Sequence, residues 1–131
     1  MGNFIKIQQE LVKKYNIIIE RASRCVSRTH AHVKQRQICK WDYKNSIENT
    51  FTLAHEIGHI ETTKSRMRRA ESEYYATEWA INELQNNYGL KIPEKTIKSY
   101  QRYIDMELDR GIRRGGNDYD IPRTLASLIT K

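Results

Sequence analysis

The pentapeptide His55-Glu56-Ile57-Gly58-His59 constrains this chain more than any other stretch of its 131 residues. It lies where Ile47, Phe51 and Ala54, with Gly58, recur at helical spacing, and Ser46 with Glu48 close behind supplies an N-cap signal. On a helix, residues four apart project from one face one turn apart, so His55 and His59 can direct two imidazole nitrogens at one ion. A catalytic zinc takes three protein ligands in a near-tetrahedral array and keeps the fourth position open for water. A third ligand must therefore come from another segment. Glu56, beside the first histidine, is placed to take a proton from that water without occupying the metal. Gly58 is a poor helix residue, costing ~1 kcal/mol relative to Ala. Its position between the two histidines predicts that something approaches that backbone closely.

After a basic stretch ending at Arg69, the residues from Ala70 to Tyr88 read as a second helix, striped by Ala76, Trp79, Ala80 and Leu84 and closed by Gly89. This helix offers Glu71, Glu73 and Glu78 as third ligands, with Glu73 preferred. Phe4, Ile7, Leu11 and Tyr15 mark an amphipathic helix over residues 3 to 15, and Ile97, Tyr100, Ile104 and Leu108 mark another that begins near Pro93 and starts to end at Gly111. The glycines and asparagine of residues 111 to 120 read as a flexible connection to a short terminal piece. Between Asn16 and Trp41 the helical period is lost. Ile17-Ile18-Ile19 and Gln37 to Trp41 read there as short strands of a small antiparallel sheet.

The run FTLAHEIGHIE, followed by ESEYYATEWAINEL, resembles the ImmA/IrrE family of gluzincin-like metallopeptidases found in bacteria and their mobile elements. The likeness is good over residues 47 to 84 and looser in the flanks. It implies that Glu73 is the third zinc ligand and that Trp79 and Ala80 pack against the HExxH helix. It also implies an edge strand beside that helix for an extended substrate, with Gln37 to Trp41 as the candidate. Thr77 stands where the family carries an acid or amide able to orient a ligand histidine, and a threonine hydroxyl would hold it less firmly. The expectation is thus one minimal zincin-like α+β domain over residues 1–131, a small antiparallel sheet packed on the HExxH helix with additional helices.

Other residues are given structural readings. Cys25, His30, His32 and Cys39 lack the spacing of a compact zinc knuckle and are not promoted to a second site; the two cysteines are expected to be free thiols. Tyr43, Tyr74 and Tyr75 are nearest in sequence to the motif as oxyanion donors, although most tyrosines serve packing. Lys and Arg total 23 against 16 Asp and Glu, clustered at residues 21–36, 64–69 and 110–114. Solvated faces account for such clusters most simply; nucleic acid is left open as a partner without being implied. With no signal-peptide core and no run of ~18 apolar residues, the chain is expected to act in the cytoplasm and away from membranes.

These features predict a zinc endopeptidase that cleaves a regulatory protein, such as a phage or mobile-element repressor, with Glu56 as base. Two alternatives stand beside it: a zincin scaffold that antagonises a host nucleic-acid enzyme or regulator by contact through its basic surface, and, more weakly, a basic DNA-binding regulator with a structural zinc.

Overall fold

The computed structural model describes residues 3–20 and 29–129. Helix α1 (Phe4–Lys14) is followed by strands β1 (Ile18–Glu20), β2 (His30–His32) and β3 (Gln37–Cys39). Three longer elements complete the fold, α2 (Ile47–Thr62), α3 (Arg69–Tyr88) and α4 (Glu94–Arg113), before a closing 3-10 turn at Leu125–Leu128. The α+β class follows.

Local chemistry explains the helix limits. Asn3 Oδ1 accepts from the Lys6 amide at 3.1 Å at the start of α1, and Ser46 Oγ accepts from the Asn49 amide at 3.1 Å at the start of α2. Such a cap contributes about 1 kcal/mol. Gly89 ends α3 in the left-handed conformation, φ 61°, which costs an L-residue and not glycine. Pro93 precedes α4, where its missing N–H is harmless.

The sheet differs from expectation. Its order is β1-β3-β2; β2 pairs antiparallel to β3, but β1 runs parallel to β3, with Ile18 opposite Gln37. The sheet is therefore mixed. Apolar alternation reports which face of a strand is buried and not the direction of its neighbour, so the parallel pair could not be read from composition. Gln37–Cys39 is also the central strand, with both edges paired, and cannot be the substrate edge. That position belongs to β2, which packs on α2.

Leu11, Ile38, Trp41, Phe51, Leu53, Ile57, Tyr74, Ala80, Ile81, Leu84 and Ile104 are among the side chains of one buried cluster. Each large apolar member contributes on the order of 1.5–3 kcal/mol by leaving water. Ala80 sits in this core as expected, while the ring of Trp79 packs edge-on against Tyr15, centroids 4.9 Å apart. Glycines 111 and 116 do not form a loose connection: α4 runs on to Arg113, and the Tyr119 hydroxyl lies over both of them.

The tightest approach in the core joins α2 to α3. A Cβ on Gly58 would collide with the Ala76 carbonyl oxygen and stand 3.0 Å from the Ala76 carbonyl carbon and Cα. These are backbone atoms of a buried helix and cannot swing aside. Gly58→Ala is expected to destabilise the protein by about 1–3 kcal/mol despite the better helix propensity of Ala. Urea unfolding checks this, and an unchanged midpoint would mean that the two helices separate freely.

Candidate metal centre

Helix α2 presents His55 and His59 from one face, and α3 brings Glu73 against them. His55 Nε2 lies 3.2 Å from Glu73 Oε1, and His59 Nε2 lies 3.1 Å from Glu73 Oε2. The imidazole centroids are 4.7 Å apart with the rings nearly perpendicular. One donor atom from each of the three residues lies within 4.8 Å of the other two. His55 and Glu73 are buried, so this convergence is held by packing and not by chance surface rotamers.

The electrostatics favour a positive charge at this point. Burial disfavours protonated His55, yet the carboxylates of Glu56 and Glu73 outweigh it and push the imidazole up to about 9. Burial likewise opposes ionised Glu73, but His55 and His59 hold its carboxyl well below the usual carboxylate range. His55 Nε2 is buried without a hydrogen-bond partner, because the contact with Glu73 is close but badly directed. An orphaned buried nitrogen is costly. Two imidazoles and a carboxylate, one nitrogen aimed into the space they share, fit a zinc-type divalent ion.

Glu56 and the three converging residues line a cleft of ≈ 620 Å³, with Thr29, His30, Ala31 and Val33 on the β2 side and Ser99, Tyr100 and Tyr103 on the α4 side. This is the size of a typical ligand pocket. Tyr100 packs its ring 4.8 Å from that of His55, and burial pushes its phenol up to about 12, so it remains a donor. The Tyr103 hydroxyl accepts from Arg69 Nη2 at 2.8 Å. The three tyrosines nearest the motif in sequence are engaged elsewhere: Tyr74 donates to Glu78 at 3.0 Å, Tyr75 donates to Asp120 at 2.7 Å, and Tyr43 packs on Trp41. The cleft tyrosines were legible only as core positions in the stripe of α4 or not at all.

Thr77 does not orient a histidine. Its hydroxyl donates to the carbonyl oxygen of Glu73, one turn back, at 2.7 Å. Ser72 takes the orienting position instead, its Oγ 3.2 Å from His59 Nδ1. Sequence alone gave no signal for Ser72 except its place beside Glu73.

The other glutamates of α3 are spent on structure. Glu71 reaches back to the Arg68 amide at 3.0 Å, pairs with the Arg68 guanidinium at 3.1 Å and accepts from the Asp120 amide at 2.8 Å. Several arginines of the basic clusters are likewise committed. Arg36 pairs with Glu61 and donates to the Tyr15 carbonyl, Arg69 meets Tyr103 and Glu107, and Arg113 pairs with Asp109.

A second group also converges. His30, His32 and Cys39, whose spacing is not that of a compact zinc knuckle, offer donor atoms within 4.8 Å of one another. The reason is register: His30 is paired with Cys39 across the β2–β3 hairpin, and His32 is two residues on, on the same face. Cys39 is disulfide-bonded and not the free thiol expected, a pairing that cysteine count cannot exclude. Cys25 lies outside the described residues.

A helix bearing HExxH, a glutamate delivered by the next helix and a cleft between an edge strand and a third helix define a metallopeptidase-like domain. The chain belongs to the family described as the IrrE N-terminal-like domain, Peptidase_M78, whose model matches residues 12–114. The likeness to ImmA/IrrE metallopeptidases thus extends well beyond residues 47 to 84, from the end of α1 to the cap of α4. Neither the curated proteins nor the solved structures gave a match. No helix among the described residues is long and apolar enough to cross a membrane.

Glu71 supplies a pH test of the frame around the site. Hydrogen bonds from the Arg68 side chain, outweighing burial, hold its carboxyl at about 2, below the ordinary 4.5. Its contribution to stability is therefore complete above pH 4.5 and is lost as pH falls towards about 2. Glu71→Gln is expected to lower stability at neutral pH and to flatten its acid dependence across that window. Urea midpoints at a series of acidic pH values read the difference; parallel curves for the two proteins would contradict it.

Proposed function

We propose that this protein is a zinc-dependent endopeptidase that cleaves a regulatory protein, with His55, His59 and Glu73 as metal ligands and Glu56 as general base. The observation that carries the reading is the convergence of His55 Nε2, His59 Nε2 and the two Glu73 oxygens at 3.1–3.2 Å inside a peptide-sized cleft. Zinc held by these residues would supply a Lewis acid that lowers the pKa of water and polarises the scissile carbonyl.

The remaining work falls to the chain's own groups. Glu56 lines the cleft beside the ligands without being one of the converging three, so its carboxylate can take the proton of the attacking water and return it to the leaving amine. Ser72, against His59 Nδ1, fixes the imidazole's orientation. The outer edge of β2, the end of the sheet among the described residues, supports an extended peptide by strand pairing, which sets the scissile bond across the cleft. Tyr103 is the proposed oxyanion donor: Arg69 donates to its oxygen, leaving its own proton to be given to the developing negative charge. An extended or locally unfolded segment of a regulatory protein, such as a repressor, is the kind of substrate this reading proposes, since strand pairing recognises an extended segment more readily than a folded surface.

Elemental analysis of the purified protein is expected to find about one zinc per chain at the site, lost in His59→Ala and in Glu73→Ala. Glu56→Gln is expected to retain the metal and the fold while abolishing cleavage. A biological effect that survives Glu56→Gln would replace proteolysis by action through contact alone.

Tyr103→Phe is expected to lower kcat by about 10²–10³-fold with little change in KM, the pattern of a donor used mainly in the transition state. Steady-state kinetics on a cleaved peptide checks it, and an unchanged kcat would remove Tyr103 from the mechanism.

A further inference from the structure

The sheet carries a group of metal-ligating side chains that the peptidase site does not use. On β2, His30 and His32 are two residues apart and share a face; on β3, Cys39 is the register partner of His30. The intervening pair, Ala31 and Ile38, belongs to the opposite face and packs into or against the core. The Nε2 atoms of His30 and His32 lie 3.1 Å apart. Two nitrogens on one tetrahedral zinc, each at ~2.0–2.1 Å, stand ~3.3 Å apart, so the imidazoles already have the spacing of shared ligation. Cys39 Sγ completes a group whose donor atoms all fall within 4.8 Å of one another. Glu20, the β1 register partner of Cys39, adds a carboxylate on the same face.

Metal and disulfide compete for the same sulfur. Cys39 is disulfide-bonded here, and only a thiolate ligates zinc. We propose that reduction of this disulfide creates a second metal site, in which Cys39, His30 and His32 hold a zinc-class divalent ion. A dithiol donor supplies the two electrons and two protons: it ends as its own disulfide, and two protein thiols are released. The Cys39 thiol then loses its proton to solvent as the ion binds. One thiolate with two imidazoles is a donor set suited to zinc or cobalt and not to calcium or magnesium. The site lies on the strand whose edge borders the cleft, and binding there ties the two strands of the hairpin together through three side chains.

Cobalt titration of the full chain tests this independently of the peptidase reading, because His55, His59 and Glu73 contain no sulfur. The protein is compared as oxidised and after treatment with a phosphine, which becomes its oxide with oxygen from water and does not compete for metal as dithiols do. A thiolate-to-cobalt charge-transfer band is expected in the reduced protein, absent from the oxidised protein and from Cys39→Ser. His32 is exposed, so His32→Ala should fold normally, verified by circular dichroism, and weaken the binding that produces the band by more than about tenfold. No band in the reduced wild type would overturn the proposal. So would a band of undiminished affinity in His30→Ala and His32→Ala, which would assign the cobalt to sulfur alone.

Discussion

Everything at the candidate metal centre depends on how near two helices can come. Gly58 and Ala76 bring the α2 and α3 backbones together so closely that a methyl group does not fit between them. Gly58 is one position before His59, and Glu73 is one turn before Ala76, so the glycine contact and the contact of Glu73 with the histidines are neighbours along a single seam. A glutamate side chain is short compared with the usual 8–10 Å between helix axes. With a bulkier residue at 58 the carboxylate would fall short of one imidazole or the other. The glycine's poor helix propensity is the cost of that proximity.

The two long helices of the site were legible because their signals are local. The Ser46 cap, the four-residue step from His55 to His59 and the left-handed Gly89 are each decided within a turn of helix. Glu71 and Glu73 were harder to tell apart, since both lie on α3; their partners differ, Glu71 lying against Arg68 and Asp120 and Glu73 against the histidines. Strand direction was not legible, because β1 meets β3 and not its neighbour in sequence. Nor was the contact of Ser72 with His59, since a serine beside a candidate ligand has no pattern to distinguish it from any other. The failure at Thr77 has the same origin: threonine within a helix can bond its own i−4 carbonyl, and here that local partner wins.

The basic clusters look different once their partners are known. Arg36 joins the β2–β3 turn to the ends of α1 and α2, and Arg69 positions the Tyr103 hydroxyl at the cleft. Arg68 stacks over the Tyr119 ring at 3.7 Å while pairing with Glu71. A guanidinium with five donors and a flat face suits such bridging better than lysine. Part of the excess positive charge is thus structural in origin, whatever the rest contacts.

The segment beyond residue 114, outside the family match, has a mechanical part in the fold. It crosses α3 and bonds to it at three levels: Asp118 and Asp120 at Arg68 and Glu71, Asp120 again at Tyr75, and Leu128 at Gln85. Leu125, fully buried, also donates its backbone amide to Gln101 Oε1 of α4, at 2.8 Å. A helix gripped along one face only is a beam free to roll about its axis. A roll of ~10° carries a side-chain tip at ~5 Å radius through nearly ~1 Å, several times the ~0.2 Å within which metal–ligand distances are held. By clamping α3 from the side away from α2, this strap turns two touching cylinders into a jig with one setting, and that setting is what keeps a single carboxylate within reach of both histidines.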